Sequence, residues 1–285
     1  MHETREDGRY EPTLPIDLEI APRRGAYASY VTQNDPFRTD YHGDSPAVEM
    51  DRLLDALTDE HSNVLDLGSG AGFTLCRLAA RVKEIWGVDL DRELMEACRA
   101  RVKAMGVKNA HLVFGDTPDP ALLTQLPDAH FTVAFSRRGP FLTEALAKKL
   151  TPEAPFVVEL AQDFLGLKEM FGRTPCLPKS AGDPDWAVSV HAGIGYVPVS
   201  AKAYWYEEWF RDPDHMAGYL TQGAPLQNWW MEACPYEEAR DRPALELYAR
   251  YNRTSEGIRL VGHRRIYVFR RQATNYYPVL GEAQT

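Results

Sequence analysis

Between residues 45 and 162 the chain alternates two patterns. Short apolar runs at 63–67, 84–89, 111–114, 130–136 and 156–160 are the size and texture of buried strands. Between them, apolar positions recur every three or four residues, the period of a helix with one face on a core. Residues 45–60 open with Ser45-Pro46, a helix cap followed by proline in the first turn, and bury Val48, Leu53, Leu54 and Leu57. Residues 73–82 and 91–105 repeat the pattern, the second through Leu94, Met95, Ala97, Cys98 and Val102. A short proline-bearing segment, 117–126, and a helix over 141–150 complete it. Strand and helix in strict alternation predict an α/β fold, doubly wound, with a mostly parallel sheet covered on both faces.

Outside this region the rhythm changes. Residues 1–45 are polar, carry four prolines and four tyrosines, and read as an irregular segment able to act as a lid. Residues 161–171 read as helical and 172–196 as rich in loops. A β-prone aromatic run over 197–210, helices over 212–222 and 236–251, and a strand over 257–271 follow. The expected organisation is a segment 1–45, one domain over 46–271 with an insert around 211–256, and a tail 272–285.

Composition narrows the function. The formal charge of −9 offers no general attraction for a phosphate backbone, so a nucleic-acid partner is disfavoured. The four cysteines are scattered with no Cys-x-x-Cys pair, and the eight histidines show no ligand spacing, so no metal site is expected. No apolar segment follows the N-terminus and no run approaches a membrane span, so a cytoplasmic protein without a membrane partner is expected.

The chemistry is concentrated in Val64-Leu-Asp-Leu-Gly-Ser-Gly-Ala-Gly72. An apolar strand ends in an acid, and glycine then stands at 68, 70 and 72, where a backbone must come close to a ligand. A dinucleotide turn, Gly-x-Gly-x-x-Gly, would need its third glycine at 73 or 75, which are Phe73 and Leu75. The pattern Asp-x-Gly-x-Gly-x-Gly instead resembles the class I S-adenosylmethionine (SAM)-dependent methyltransferases. That resemblance implies a Rossmann-like sheet of seven strands with the last strand antiparallel. It also implies SAM as cofactor and S-adenosylhomocysteine (SAH) as product. It gives Asp66, Gly68, Ser69, Gly70 and Gly72 to the methionyl end, Asp89 to the ribose hydroxyls and Leu90 to the adenine face. Asp116, with Thr117, falls where the family binds the adenine amino group, and Ser136 lies beside the methyl group.

Arg137 and Arg138 follow Ser136 where related nucleic-acid amino-methyltransferases often carry Asn/Asp-Pro-Pro-Tyr/Phe. Two guanidiniums suit a carboxylate or phosphate on the acceptor, and solvated arginines are the plainer alternative. Arg264-Arg265 and Arg270-Arg271 read as solvated strand positions. The aromatic run 204–210 and Trp229-Trp230 read as core or as stacking surface. Tyr27, Tyr30, Glu159 and His191 are open candidates for a general base, with the two tyrosines also candidate substrate contacts. The expected activity is methyl transfer to a small molecule by a monomer or homodimer. An RNA or protein methyltransferase and a SAM-binding protein without methyl transfer remain alternatives.

Overall fold

A computed structural model of the chain describes residues 38–160, 163–164, 184–222 and 237–272. The strands are β1 (Arg38–Tyr41), β2 (Asn63–Leu67), β3 (Glu84–Asp89), β4 (Ala110–Phe114), β5 (Val133–Arg137), β6 (Phe156–Glu159), β7 (Asp163–Phe164), β8 (Tyr196–Phe210), β9 (Arg253–Thr254) and β10 (Gly257–Arg271). The helices are α1 (Pro46–Leu57), α2 (Phe73–Ala79), α3 (Arg92–Ala104), α4 (Pro120–Leu123), α5 (Glu144–Ala147), α6 (Pro184–Gly193), α7 (Pro213–Gln222) and α8 (Glu238–Tyr251).

The helix caps come from the residue types that favour them. Ser45 Oγ accepts the Val48 N–H at 3.3 Å with Pro46 at the first position of α1. Asp91 caps α3 by accepting from Glu93 and Leu94. Thr143 caps α5 through the Leu146 N–H, which shortens the helix expected over 141–150 to a single turn.

The sheet order is β1-β8-β10-β6-β5-β2-β3-β4, with β7 and β9 paired to β10. From β6 to β4 all neighbours are parallel. β10 lies antiparallel between β6 and β8, so β8 runs with the parallel set. The seven expected strands are all present with the final one reversed, and β1 adds an eighth to the outer edge. β1 corrects the irregular reading of residues 38–41. Its Arg-Thr-Asp-Tyr sequence has no apolar run, and it becomes a strand by pairing with the free edge of β8. Residues 163–164, expected to be helical, instead form β7 against Gly262 and His263 of β10. Part of the expected loop region is helix α6.

Every residue of β2 is buried, as befits a central strand covered on both faces. Successive residues enter opposite cores: Val64 packs with Met50, Leu54, Leu75 and Phe135, while Leu65 packs with Phe131, Leu142 and Phe156.

β8 and β10 are much longer than their neighbours. β6 covers only Ile266–Phe269 of β10, whereas β8 follows β10 down to Ile258. The portion of β10 before Ile266 therefore extends past the carboxyl end of β6, by about 30 Å of strand at ~3.3 Å per residue. This antiparallel arm carries β7 on one edge and β1 on the other, with α7 and α8 packed against it. It rises on the side of the sheet where parallel strands end.

Candidate active site

The loop after β2 is folded by its neighbour. The N–H groups of Gly68 and Ser69 both donate to Val88 O, at 2.8 and 3.0 Å. The Gly70 N–H donates to Asp89 Oδ2 at 2.7 Å. Gly70 and Gly72 have φ of +54° and +79°, in the left-handed region. Their surroundings differ. A Cβ on Gly72 would lie 2.4 Å from Cys98 Sγ, whereas a Cβ on Gly70 would meet nothing within 4 Å. Gly72 is thus demanded by packing, and Gly70 leaves an open face at the turn.

Asp89 ends β3 with both oxygens engaged, Oδ2 by Gly70 and Oδ1 by the Asp91 N–H at 2.8 Å. Each carboxylate oxygen keeps a second acceptor site, which a hydroxyl can use. Burial raises its pKa against the lowering effect of these backbone donors. Asp91 is the helix cap, so the two acids have separate tasks. Leu90 between them is 64% exposed. The Gly115 N–H donates to Asp89 O at 3.0 Å, which draws the loop carrying Asp116 and Thr117 to the same end. Asp116 is exposed and Thr117 buried. Leu90 and Asp116 therefore project from adjacent strand ends.

Asp66 lies beneath the turn, buried in β2, with its pKa well above the usual carboxylate range. Burial is the main cause, the Asp89 charge adds to it, and Arg137 opposes it. Among the described residues the turn is ordered by the Val88 carbonyl and the Asp89 carboxylate. Ser136 lies level with Leu67 and is fully buried, and among the described residues its Oγ has no hydrogen-bond partner. The Ser69 Oγ is likewise buried and without a partner among the described residues.

Beside this cleft the arginines turn inward. Arg137 Nε donates to Glu159 Oε2 at 3.1 Å, and a terminal nitrogen donates to Thr74 Oγ1 at 3.3 Å. Arg138, held at φ +60°, places Nε 3.9 Å from Glu159 Oε1. Arg264, 14% exposed, donates to the same oxygen at 3.3 Å. The solvated reading of Arg264 is corrected: it shares a face of β10 with Ile266, whose partner across the strand is Glu159.

Two candidate bases are excluded by their surroundings. Glu159 is completely buried, and the guanidiniums of Arg138, Arg137 and Arg264 offset its burial and hold its pKa below the ordinary value. It is a fixed counter-charge. His191 is a core residue: its Nδ1 lies 2.6 Å from Ala187 O and its ring packs among Phe141, Phe156 and Phe269. Phe156 begins β6, so His191 sits at the opposite end of the sheet, and burial lowers its pKa. Tyr27, Tyr30, Trp229 and Trp230 lie outside the described residues. Within the aromatic run, Tyr204, Tyr206 and Phe210 are core.

Among the described residues no three His, Cys, Asp or Glu side chains are placed to hold a metal ion, and no helix is long and apolar enough to cross a membrane.

Residues 64–154 match the family model described as Methyltransferase domain. The chain is 23% identical over 204 residues to protein-L-isoaspartate O-methyltransferase of Pyrococcus abyssi, covering 67% of this chain and 90% of that one. The enzyme of the same name from Dictyoglomus turgidum is 36% identical over 67 residues, 24% of this chain and 30% of its own. Among solved structures, a functionally unknown protein from Deinococcus radiodurans aligns with a TM-score of 0.54 at 18% identity, covering 83% of this chain and 92% of its own. The YcgJ protein of Bacillus subtilis aligns at 0.53 and 15% identity, covering 80% and 100%. At these identities the structures share the fold.

Proposed function

Taking as premise that the chain carries a class I SAM-dependent methyltransferase domain, we propose that it methylates a small molecule bearing a carboxylate or phosphate group. The cofactor supplies a methyl group that is already electrophilic. The protein's task is to hold a lone pair of the acceptor in line with that methyl group. The residues at the strand ends suit the cofactor. Gly70 is open to a ligand, Asp89 retains acceptor capacity for hydroxyls, and Leu90 offers an apolar face. Arg137 and Arg138 then stand on the acceptor side, where their charge orients an anionic group.

The placement of the arginines carries the small-molecule reading. Arg137, Arg138 and Arg264 gather around one buried carboxylate at the carboxyl ends of β5 and β6. Arg270 and Arg271 lie at the other end of β10, level with Val197 and Tyr196, and Arg270 donates to Glu153 O. Six strand residues, about 20 Å, separate Arg264 from Arg270. Among the described residues the two groups do not join into the continuous basic track that a bound RNA would need. A protein acceptor is the second reading, favoured by the relatives named for protein-L-isoaspartate.

Calorimetric titration of SAH into the wild-type protein and Asp89→Ala is the first test. Loss of two charge-assisted hydrogen bonds predicts roughly 100-fold weaker binding in the variant. Methyl-labelled SAM is then offered with small carboxylic and phosphorylated metabolites, with an isoaspartyl peptide, and with tRNA. Label in the small-molecule fraction supports the proposal. Label only in peptide or RNA overturns it, and SAH binding without any transfer identifies a SAM-binding protein of another kind.

A further inference from the structure

The arm contains a buried acid that the cofactor end does not use. Glu208, on β8, is 3% exposed. Its Oε1 accepts the Tyr219 hydroxyl from α7 at 3.0 Å, and its Oε2 is buried with no hydrogen-bond partner among the described residues. A buried polar atom left unmatched is costly to a fold unless something else matches it.

The residues around it form a directed row. On the same face of β8 stand Tyr204, Tyr206 and Phe210. Tyr206 faces Tyr41 of β1, with ring centroids 5.6 Å apart, and lies so close over Gly262 of β10 that a Cβ there would be 2.5 Å from its Cζ. Arg264 of β10 lies across from Tyr204, its guanidinium 5.4 Å from the Tyr206 ring. From there the row continues to Glu159, Arg137 and Arg138. Four residues of β8, about 13 Å, separate the Glu208 level from the Arg264 level. Tyr206 and Glu208 are buried, whereas Tyr41 and Arg138 are part-buried.

We propose that Glu208 is a specificity-determining residue that donates a hydrogen bond from Oε2 to an oxygen at the far end of an elongated acceptor, whose near end meets the arginines. This rests on the small-molecule reading above and adds to it the acceptor's shape and second polar group. The acceptor is a narrow molecule with an oxygen-bearing group at each end. Donation requires the acid to be protonated, and burial does raise the Glu208 pKa to about 8, against the lowering effects of Tyr219 and Arg264. The charged and titratable groups facing it are Tyr206 on its own strand, Tyr41 on β1, Arg264 on β10 and Tyr219 on α7. Burial raises the pKa of both Tyr41 and Tyr206, and the guanidinium stays charged.

The test uses the SAH-saturated full chain and α,ω-dicarboxylic acids from malonate to sebacate, titrated calorimetrically at pH 7 and pH 9. The expected result is binding that improves toward the longer acids and weakens about tenfold from pH 7 to pH 9 as Glu208 ionises. Glu208→Gln keeps a donor that cannot ionise, so it should bind the same acid with that fall abolished. No binding by any diacid, or the same fall in both proteins, overturns the proposal. Either result with SAH bound, and with small-molecule methylation intact, sinks this inference alone. Absence of SAH binding sinks the reading beneath it.

Discussion

Two glycines of one turn answer to different constraints, and an alanine at each should separate them. At Gly72 the left-handed backbone costs a residue with a Cβ about 1–2 kcal/mol. The added methyl would also lie 2.4 Å from Cys98 Sγ, an overpacking worth a further ~1–3 kcal/mol. Gly72→Ala should therefore lose about 2–5 kcal/mol of stability, read as a lower urea midpoint at unchanged slope. Cys98→Ala in the same chain should recover the steric part and leave only the backbone part, since the remaining neighbour, Cys98 Cβ, is 3.3 Å away. At Gly70 the methyl would project into open space, so Gly70→Ala should lose only ~1–2 kcal/mol. It should nevertheless weaken SAH binding by roughly 30-fold or more, because the space it fills is the space assigned to the cofactor. Paired urea melts and calorimetry on the three variants decide the matter. A Gly70→Ala protein that binds SAH like the wild type would show that the cofactor does not pack on that face. Equal destabilisation at the two positions would refute the packing argument for Gly72.

Three further outcomes are expected. Glu159→Gln leaves Arg137, Arg138 and Arg264 facing each other without their shared counter-charge, and should cost about 3–5 kcal/mol in urea unfolding; a loss under ~1 kcal/mol would show the cluster is not held by that carboxylate. Glu208 has its folded pKa raised to about 8 from an ordinary 4.5, so the native state keeps a proton that the unfolded chain releases. Stability should accordingly fall as pH rises from about 4.5 to 8 and flatten above, and Glu208→Gln should gain on the wild type by at most about 5 kcal/mol across that window; a difference that does not vary with pH would refute this. His191→Phe should leave SAH affinity unchanged within about twofold, since the ring lies in the core at the far end of the sheet; a large loss would place that end in contact with the cleft.

The parallel half of the fold was legible because its signals are local. Asp91 and Ser45 read as caps and are caps, and the runs beginning at Asn63 and Glu84 are strands with the expected limits. The glycine spacing by itself distinguishes this turn from a dinucleotide turn. What was missed depends on distant partners. Arg38–Tyr41 has no strand signature of its own and takes its form from β8. Glu159 looked like a candidate base because nothing nearby in sequence reveals that Arg264, 105 positions away, closes the ring of charge around it. Alternation along β10 held the missing signal, since Arg264 shares a parity with the buried Ile266 and Val268. Glu208 could have been suspected in the same way, as the one acid in step with Tyr204, Tyr206 and Phe210.

The position of β10 bears on how the chain reaches this state. It is the last of the ten described strands in sequence, yet it lies between β6 and β8 and pairs with both. During synthesis the five parallel strands can assemble early, while one edge of β6 and the long inner edge of β8 have no partner until residues 257–271 emerge. Two open strand edges on one nascent chain are templates for pairing with a neighbouring copy. Removing residues from 257 onward would cut β8 off from the rest of the sheet. Completion of this sheet is therefore tied to β10, and the danger of misassembly is greatest just before that strand arrives.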